Sequence, residues 1–344
     1  MSNLPVVKVA AAHVAPVFLD RAATVAKTVS LIREARSNGA ELIVFPESYI
    51  PAFPVWASFW APIDNHQLFE KFVEASIYAD GPEIAEIRAE AERSGIFVSL
   101  GFTERSRASV GCLWNSNLLI DDRGSVLNHH RKLVPTFFEK LVWAPGDGHG
   151  LRVSDTRIGR IGGLICGENT NPLARYTLIA QGEQIHISSW PALWPTRRPK
   201  VGGNYDNVAA NRIRAGAHSF EAKAFGIMCA GYMDTFMRDS LVKIDPSVGD
   251  VLDGSPRAAT MFVDPTGAPI GDTLSADEGI AYAEMNLAKC VEPKQFHDVV
   301  GYYNRYDVFS LNVNRARQEP IRWTEAEGSG RSDPVENHFP IPMA

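Results

Sequence analysis

The chain has 344 residues, 45% of them hydrophobic, 22% charged and 10% aromatic, fractions that exclude a disordered, collagen-like or coiled-coil protein. Its 34 Lys and Arg against 40 Asp and Glu leave a net charge of −6, which argues against a broad phosphate-binding face and hence against a nucleic-acid partner. A chain of this size buries enough surface to need no disulfide or metal staple.

Pro5 to Ala12 reads as a buried strand. Val9 to Leu19 could imitate a signal-peptide core, but His13 and Pro16 interrupt it and a helix follows directly. Asp20 caps that helix, Val25, Val29, Ile32 and Ala35 recur at helical spacing, and Gly39 stops it. Glu41 to Pro46 reads as a strand buried on both faces. The uncharged stretch from Ser48 is broken by Pro51, Pro54 and Pro62, so no membrane span is expected. Helical patterns near Gln67 to Ala79 and Pro82 to Ser94 precede a strand at Ile96 to Gly101. Asn115 to Ile120 and Ser125 to His130 flank the turn Asp121-Asp122-Arg123-Gly124 and form a hairpin.

Leu151 to Ser154 and Arg160 to Cys166 continue as strands, and Asn171-Pro172 starts a helix running to Gly182. Further strands are expected at Gln184 to Trp190, Gly226 to Gly231, Met261 to Asp264 and Gly279 to Glu284, with a long helix near Tyr205 to Ala224. Such alternation indicates one α/β domain with a mixed sheet or two packed sheets. Beyond about Tyr302 the composition turns polar and suggests an arm or loose end. Cys112, Cys166, Cys229 and Cys290 lie far apart, with no disulfide framework or zinc spacing. The expected setting is therefore a reducing one, the cytoplasm.

Three residues at strand ends stand out. Cys166 follows the Gly-rich strand Ile161 to Ile165 and precedes a capped helix, a junction expected to lower a thiol pKa and make it nucleophilic. Glu47, after an apolar strand and before the aromatic, proline-rich Ser48 to Trp56, is expected to have a raised pKa and act as a general base. Lys132 lies just past the hairpin, with Glu139 seven residues on as an exposed neighbour or buried partner. Taken singly, each has an ordinary explanation: a buried cysteine, a loop acid, a surface lysine. That ordinary reading is applied to Cys112, Cys229 and Cys290.

Together, V-F-P-E-S at Glu47, H-R-K-L-x-P-T at Lys132 and G-G-L-I-C-G-E-N at Cys166 are specific. In that order they resemble the carbon–nitrogen hydrolase (nitrilase) superfamily, and the segments His130 to Gly148 and Cys166 to Ile187 resemble its nitrilase branch. The resemblance covers about Val6 to Leu311. It implies a four-layer α-β-β-α sandwich with two packed mixed sheets, a catalytic domain over residues 1–311 and a tail at 312–344. It further implies Glu47 as general base, Lys132 as cationic partner, Cys166 as nucleophile and Glu139 as the second glutamate, with no metal or cofactor. Glu168 is expected to be structural. Where nitrilases commonly carry Trp after the nucleophile, this chain has Gly167, which would leave room for a bulky substituent.

The expected substrate is an arylaliphatic or medium aliphatic nitrile, converted to carboxylic acid and ammonia through a cysteine thioimidate. Expected substrate contacts are Tyr49, Phe53, Thr136, Gly167, Asn169 and above all Trp190, whereas Trp56 and Trp143 read as core at least as readily. An amidase or N-carbamoyl-amine hydrolase is the rival within the superfamily, and a non-catalytic scaffold the remote one. The resemblance also implies a homo-oligomer built from dimers, which family members extend into spirals, with helices after Cys166 and the tail as contact surfaces.

Overall fold

A computed structural model describes residues 4–198, 200–204 and 206–321. The first sheet contains β1 (Val6–His13), β2 (Leu42–Val44) and β3 (Phe97–Arg105), which are parallel, followed by the antiparallel β4 (Leu113–Ile120) and β5 (Val126–Arg131). The second holds β6 (Ser154–Thr156), β7 (Gly159–Ile165), β8 (Ile185–Trp190), β9 (Phe225–Ala230), β10 (Thr260–Val263) and β11 (Pro269–Leu274). In it β7, β8 and β9 are parallel. The chain then returns to the first sheet as β12 (Gly279–Asn286), antiparallel to β1, so each sheet has six strands.

Side-chain alternation explains the layering. Val7, Val9 and Ala11 of β1 join Ile185, Ile187, Phe225 and Ile227 in a core between the sheets. Ala10 and Ala12 point the other way, against Val25, Ile32 and Ala35 of α1 (Arg21–Ser37) and Ile84 and Ile87 of a later helix. A strand apolar on both faces must be covered on both. Outside the second sheet, Leu164 packs on Ala174 and Leu178, and Met228 and Met261 pack on Ala215, side chains of the helices that follow β7 and β8. The result is the expected α-β-β-α sandwich.

Local signals set many boundaries. Asp20 Oδ1 accepts from Ala23 N at 2.9 Å, and Gly95, at φ +61°, ends α3 (Pro82–Ser94). The helix before it, α2 (His66–Ala75), stops short of Ala79 because Ile77 N donates to Thr103 O and pairs with the first sheet. Likewise α4 (Pro172–Ile179) ends before Gly182, and α5 spans Asn207–Ala222; Tyr205, its expected start, lies outside the described residues. The expected strand at Leu151 is instead loop up to Ser154. Three elements had no counterpart in the sequence reading: α6 (Thr235–Ile244), α7 (Gly249–Gly254) and β11.

No helix among the described residues is long and apolar enough to cross a membrane. The stretch after Tyr302 lacks regular structure, but up to Gln318 it is no loose end. Arg317 Nη1 lies 3.2 Å from Asp147 Oδ1, and Gln318 N donates to Asp147 Oδ2 at 3.0 Å. Of the expected tail at 312–344, residues 322–344 lie outside the described residues.

Candidate active site

The carboxyl ends of the parallel strands and the end of β5 share one rim. Past β2, Phe45 N donates to Ser99 O, and Pro46 crosses so close to β3 that a Cβ on Gly101 would sit 2.1 Å from Pro46 O. Only glycine permits that approach, which delivers Glu47 into the interior. Past β5, Lys132 N donates to Asn115 O at 2.8 Å. Past β7, Cys166 adopts φ +50°, a left-handed conformation uncommon in a non-glycine residue. Ser48 and Phe137, beside the other two loops, are also left-handed, at φ +47° and +51°. Strain of this kind collects where a fold over-determines side-chain placement.

These loops bring Glu47, Lys132, Glu139 and Cys166 together, all buried. Lys132 Nζ donates to Glu47 Oε1 at 2.7 Å and to Glu139 Oε2 at 2.6 Å. Asn115 Nδ2 donates to Glu47 Oε1 at 2.7 Å, and Thr136 N to Glu139 Oε2 at 2.7 Å. The other oxygens, Glu47 Oε2 and Glu139 Oε1, are buried without a hydrogen-bond partner. One oxygen of each acid and the Cys166 Sγ lie within 4.8 Å of one another. A sulfur beside two carboxylates and a fixed ammonium can pass a proton to one group and receive help from another.

Electrostatics corrects one expectation. Burial pushes the Cys166 thiol well above its ordinary value; Glu47 adds to this, and Lys132 opposes it without prevailing. Burial thus outweighs the anticipated lowering, and Cys166 opens a short 3-10 turn, Cys166–Thr170, ahead of the helix that begins at Pro172. Burial also raises Glu47, to about 7, against the pull of Lys132 and with a push from Glu139. For Lys132, burial works against the charge, but Cys166, Glu47 and Glu139 carry it well above the usual lysine value. The resting centre is thus a neutral thiol beside a carboxylate poised near neutrality and a permanent cation.

Behind Cys166, Glu168 clasps the two sheets. Its carboxylate accepts from Leu133 N at 2.6 Å, from Ile165 N at 2.8 Å and from His130 Nε2 at 2.9 Å. Burial would raise this carboxyl, but His130 and the two amides hold it below its usual range. Asn169, expected to contact substrate, is fully buried and braces the turn: Nδ2 donates to Cys166 O at 3.0 Å and Leu164 O at 3.2 Å. Its Oδ1 therefore accepts from His186 Nε2, at 2.8 Å, and His186 Nδ1 faces Glu183 Oε1 at 2.9 Å. His218 Nε2 meets the other Glu183 oxygen at 2.5 Å. Burial opposes the Glu183 charge, yet the two imidazoles hold its carboxyl down at about 2. Glu183, His186 and His218 have ligand atoms close enough to hold a metal, but those atoms already hydrogen-bond one another, which accounts for their closeness.

Thr136, Gly167 and Trp190 line one small cavity with Cys166. Tyr49 and Phe53 instead line a separate one with Glu47, and Pro191 borders both. A Cβ on Gly167 would meet Thr136 Oγ1 at 2.8 Å, so the Thr136 side chain stands directly beside it. Trp143 packs edge-on against Phe53, and Trp56 against Phe72, within one aromatic cluster. Cys229 is buried between the sheets, with Sγ 3.3 Å from Val44 O, as the ordinary reading of that cysteine held. Sequence reasoning missed Asn115, Trp194 and the polar face of α5, Asn207, Asn211 and Arg214, which borders the Cys166 cavity. The i, i+4, i+7 spacing of the last three was the available signal.

A family model described as carbon–nitrogen hydrolase matches residues 8–295. Among curated proteins, the chain is 35% identical over 342 residues to an arylacetonitrilase of Hypocrea virens, covering 96% of this chain and 99% of that one. It is 34% identical over 326 residues to a nitrilase of Penicillium rubens, covering 93% and 96%. Among solved structures, a carbon–nitrogen hydrolase from Helicobacter pylori superposes with a TM-score of 0.65 at 19% identity, covering 85% of this chain and 93% of that one, which supports the fold.

Proposed function

The chain belongs to the carbon–nitrogen hydrolase family, among proteins named nitrilases, and from that premise we propose that it hydrolyses nitriles to carboxylic acids and ammonia, with Cys166 as nucleophile. The observation carrying this is the meeting of the Cys166 sulfur with the carboxylates of Glu47 and Glu139, which Lys132 bridges.

A nitrile carbon is a weak electrophile, and a soft sulfur suits it better than oxygen. Glu47 takes the Sγ proton as sulfur bonds to the cyano carbon. One carbon–nitrogen π bond becomes a lone pair and then an N–H, stabilised and protonated from Lys132, giving a thioimidate. Glu47 hands the thiol proton to Lys132 along their 2.7 Å contact, restoring carboxylate and ammonium, and then takes a proton from a water that adds to the thioimidate carbon. That proton passes to the nitrogen, and ammonia leaves from the tetrahedral adduct as the C–N bond breaks. A second water cleaves the thioester, releasing the carboxylate and restoring the thiol. Glu139 holds Lys132 in place through the 2.6 Å contact and raises Glu47 toward the range where it can both take and return a proton.

Aromatic groups near the centre, Trp190 and Trp194 at the Cys166 cavity and Phe53 beside Glu47, favour arylaliphatic or medium aliphatic nitriles. Ammonia release from matched nitriles and amides tests the assignment. Faster release from the nitriles is expected, and turnover of amides alone would replace the reading with an amidase. Self-association is proposed as well. Ring contacts link Phe220, His297, Tyr303 and Tyr302, of which the phenylalanine and the tyrosines are exposed. Light scattering is expected to find dimers or larger assemblies, and a monomer at all concentrations would reject this.

A further inference from the structure

We propose that Arg214 reads a carboxylate on the substrate, so that, among aliphatic nitriles, the cavity beside Cys166 prefers those carrying an anionic group at the end remote from the cyano carbon. This rests on the nitrile reading above and names the substrate class within it.

The cavity is small, about 30 Å³, and opens to solvent. One wall is apolar, made by Trp190, Pro191 and Trp194; the other is polar, made by Asn207, Asn211 and Arg214 from one face of α5. Arg214 is half-buried, yet no carboxylate pairs with its guanidinium among the described residues. Nη1 donates to Asn211 Oδ1 at 3.1 Å, and the guanidinium carbon lies 5.5 Å from the centre of the Trp190 ring. Arg131 and Arg175, similarly sheltered, are paired, with Glu104 at 2.5 Å and Glu221 at 2.9 Å.

An indole face and one amide orient the guanidinium without neutralising it, and most of its five donors stay available for a planar, bidentate acceptor. Arg214 also acts on the reaction centre, since it is among the charges opposing the burial that pushes the Cys166 thiol up. A neutral nitrile has no use for such a cation at a partly dry wall. For an anionic substrate the cation is needed, because Glu47 and Glu139 would otherwise repel it.

The test compares 3-cyanopropanoate with 4-methylpentanenitrile, in which an isopropyl group of similar shape replaces the carboxylate. Wild type is expected to favour the anion in kcat/KM by at least about tenfold, the low end of a charge-assisted hydrogen bond. In Arg214→Gln the anion-to-neutral ratio is expected to fall roughly 10- to 100-fold, and Arg214→Lys, which keeps the charge but loses the fork, to give an intermediate ratio. A wild-type preference for the neutral nitrile, or a ratio unmoved by Arg214→Gln, overturns the inference. Succinamate and 4-methylpentanamide are run in parallel, so a protein that cleaves only amides refutes the nitrile reading while its charge ratio is still measured. Titrating Cys166→Ala with the two nitriles reads the same ratio as affinity, without turnover.

Discussion

Replacing Glu139 by Gln removes one negative charge from the reaction centre while keeping the shape of the side chain. Glu139 raises the Glu47 carboxyl, which stands at about 7 mainly through burial. The two acids present oxygens within 4.8 Å of each other. At that separation and an effective dielectric of about 20, two unit charges repel by roughly 3.5 kcal/mol, or about 2.5 pKa units. Lys132 lies between them and donates to both, so a downward shift of about one to two units is the working figure. Glu47 must be ionised to accept the Cys166 proton, so activity rises with pH through the Glu47 titration, near 7 in the wild type. Without the neighbouring charge the ionised form is favoured, and the rising limb of kcat/KM against pH moves to lower pH. Ammonia release measures the limb, and the pH dependence of Cys166 alkylation by iodoacetamide reports it independently should turnover be slow. A limb that stays in place or moves to higher pH refutes the electrostatic account of the site.

Cys166→Ala is expected to release no measurable ammonia while unfolding in urea as the wild type does; ammonia at the wild-type rate would remove sulfur from the chemistry. Lys132→Met leaves two buried carboxylates without their cation, so a loss of about 3–5 kcal/mol of stability is expected, together with at least roughly a hundredfold in kcat. A melting point equal to the wild type's would contradict that burial. Glu168→Ala deprives Leu133 N, Ile165 N and His130 of their acceptor, at about 1–3 kcal/mol for each buried group, and should lower kcat more than it alters KM. Equal effects on both would sever Glu168 from the Cys166 turn. Cys229→Ala should retain activity, and Cys229 should resist iodoacetamide under conditions that modify Cys166, as peptide mapping would show, because it is sealed in the core between the sheets whereas Cys166 lines a cavity beside a base.

The convergence of Glu47, Lys132, Glu139 and Cys166 was legible because each sits in a short, distinctive word at a strand end, and parallel strands deliver their carboxyl ends to one rim. The state of the thiol was not. The apolar strand before Cys166 is visible in the sequence, but the carboxylates facing it come from residues more than a hundred and about thirty positions away. The surroundings of Asn169 and Gly167 were hidden for a related reason: their neighbours, His186 and Thr136, come from other loops and strands. Arg214 was hidden because a polar residue at helical spacing reads equally well as a solvated face. The strand β11 went unseen since Gly271, at φ +62°, and a register shift against β10 break its alternation.

The base and the ammonium group follow strands of one sheet, and the sulfur follows a strand of the other, with Glu168 spanning the gap. No fragment built on a single sheet can hold a working centre, however well it folds. During synthesis the first sheet would complete its acids and its cation while the sulfur is still unmade, and reactivity would switch on only when the faces close. Catalysis thereby doubles as a gauge of assembly. Any loosening between the faces should silence turnover before secondary structure begins to melt.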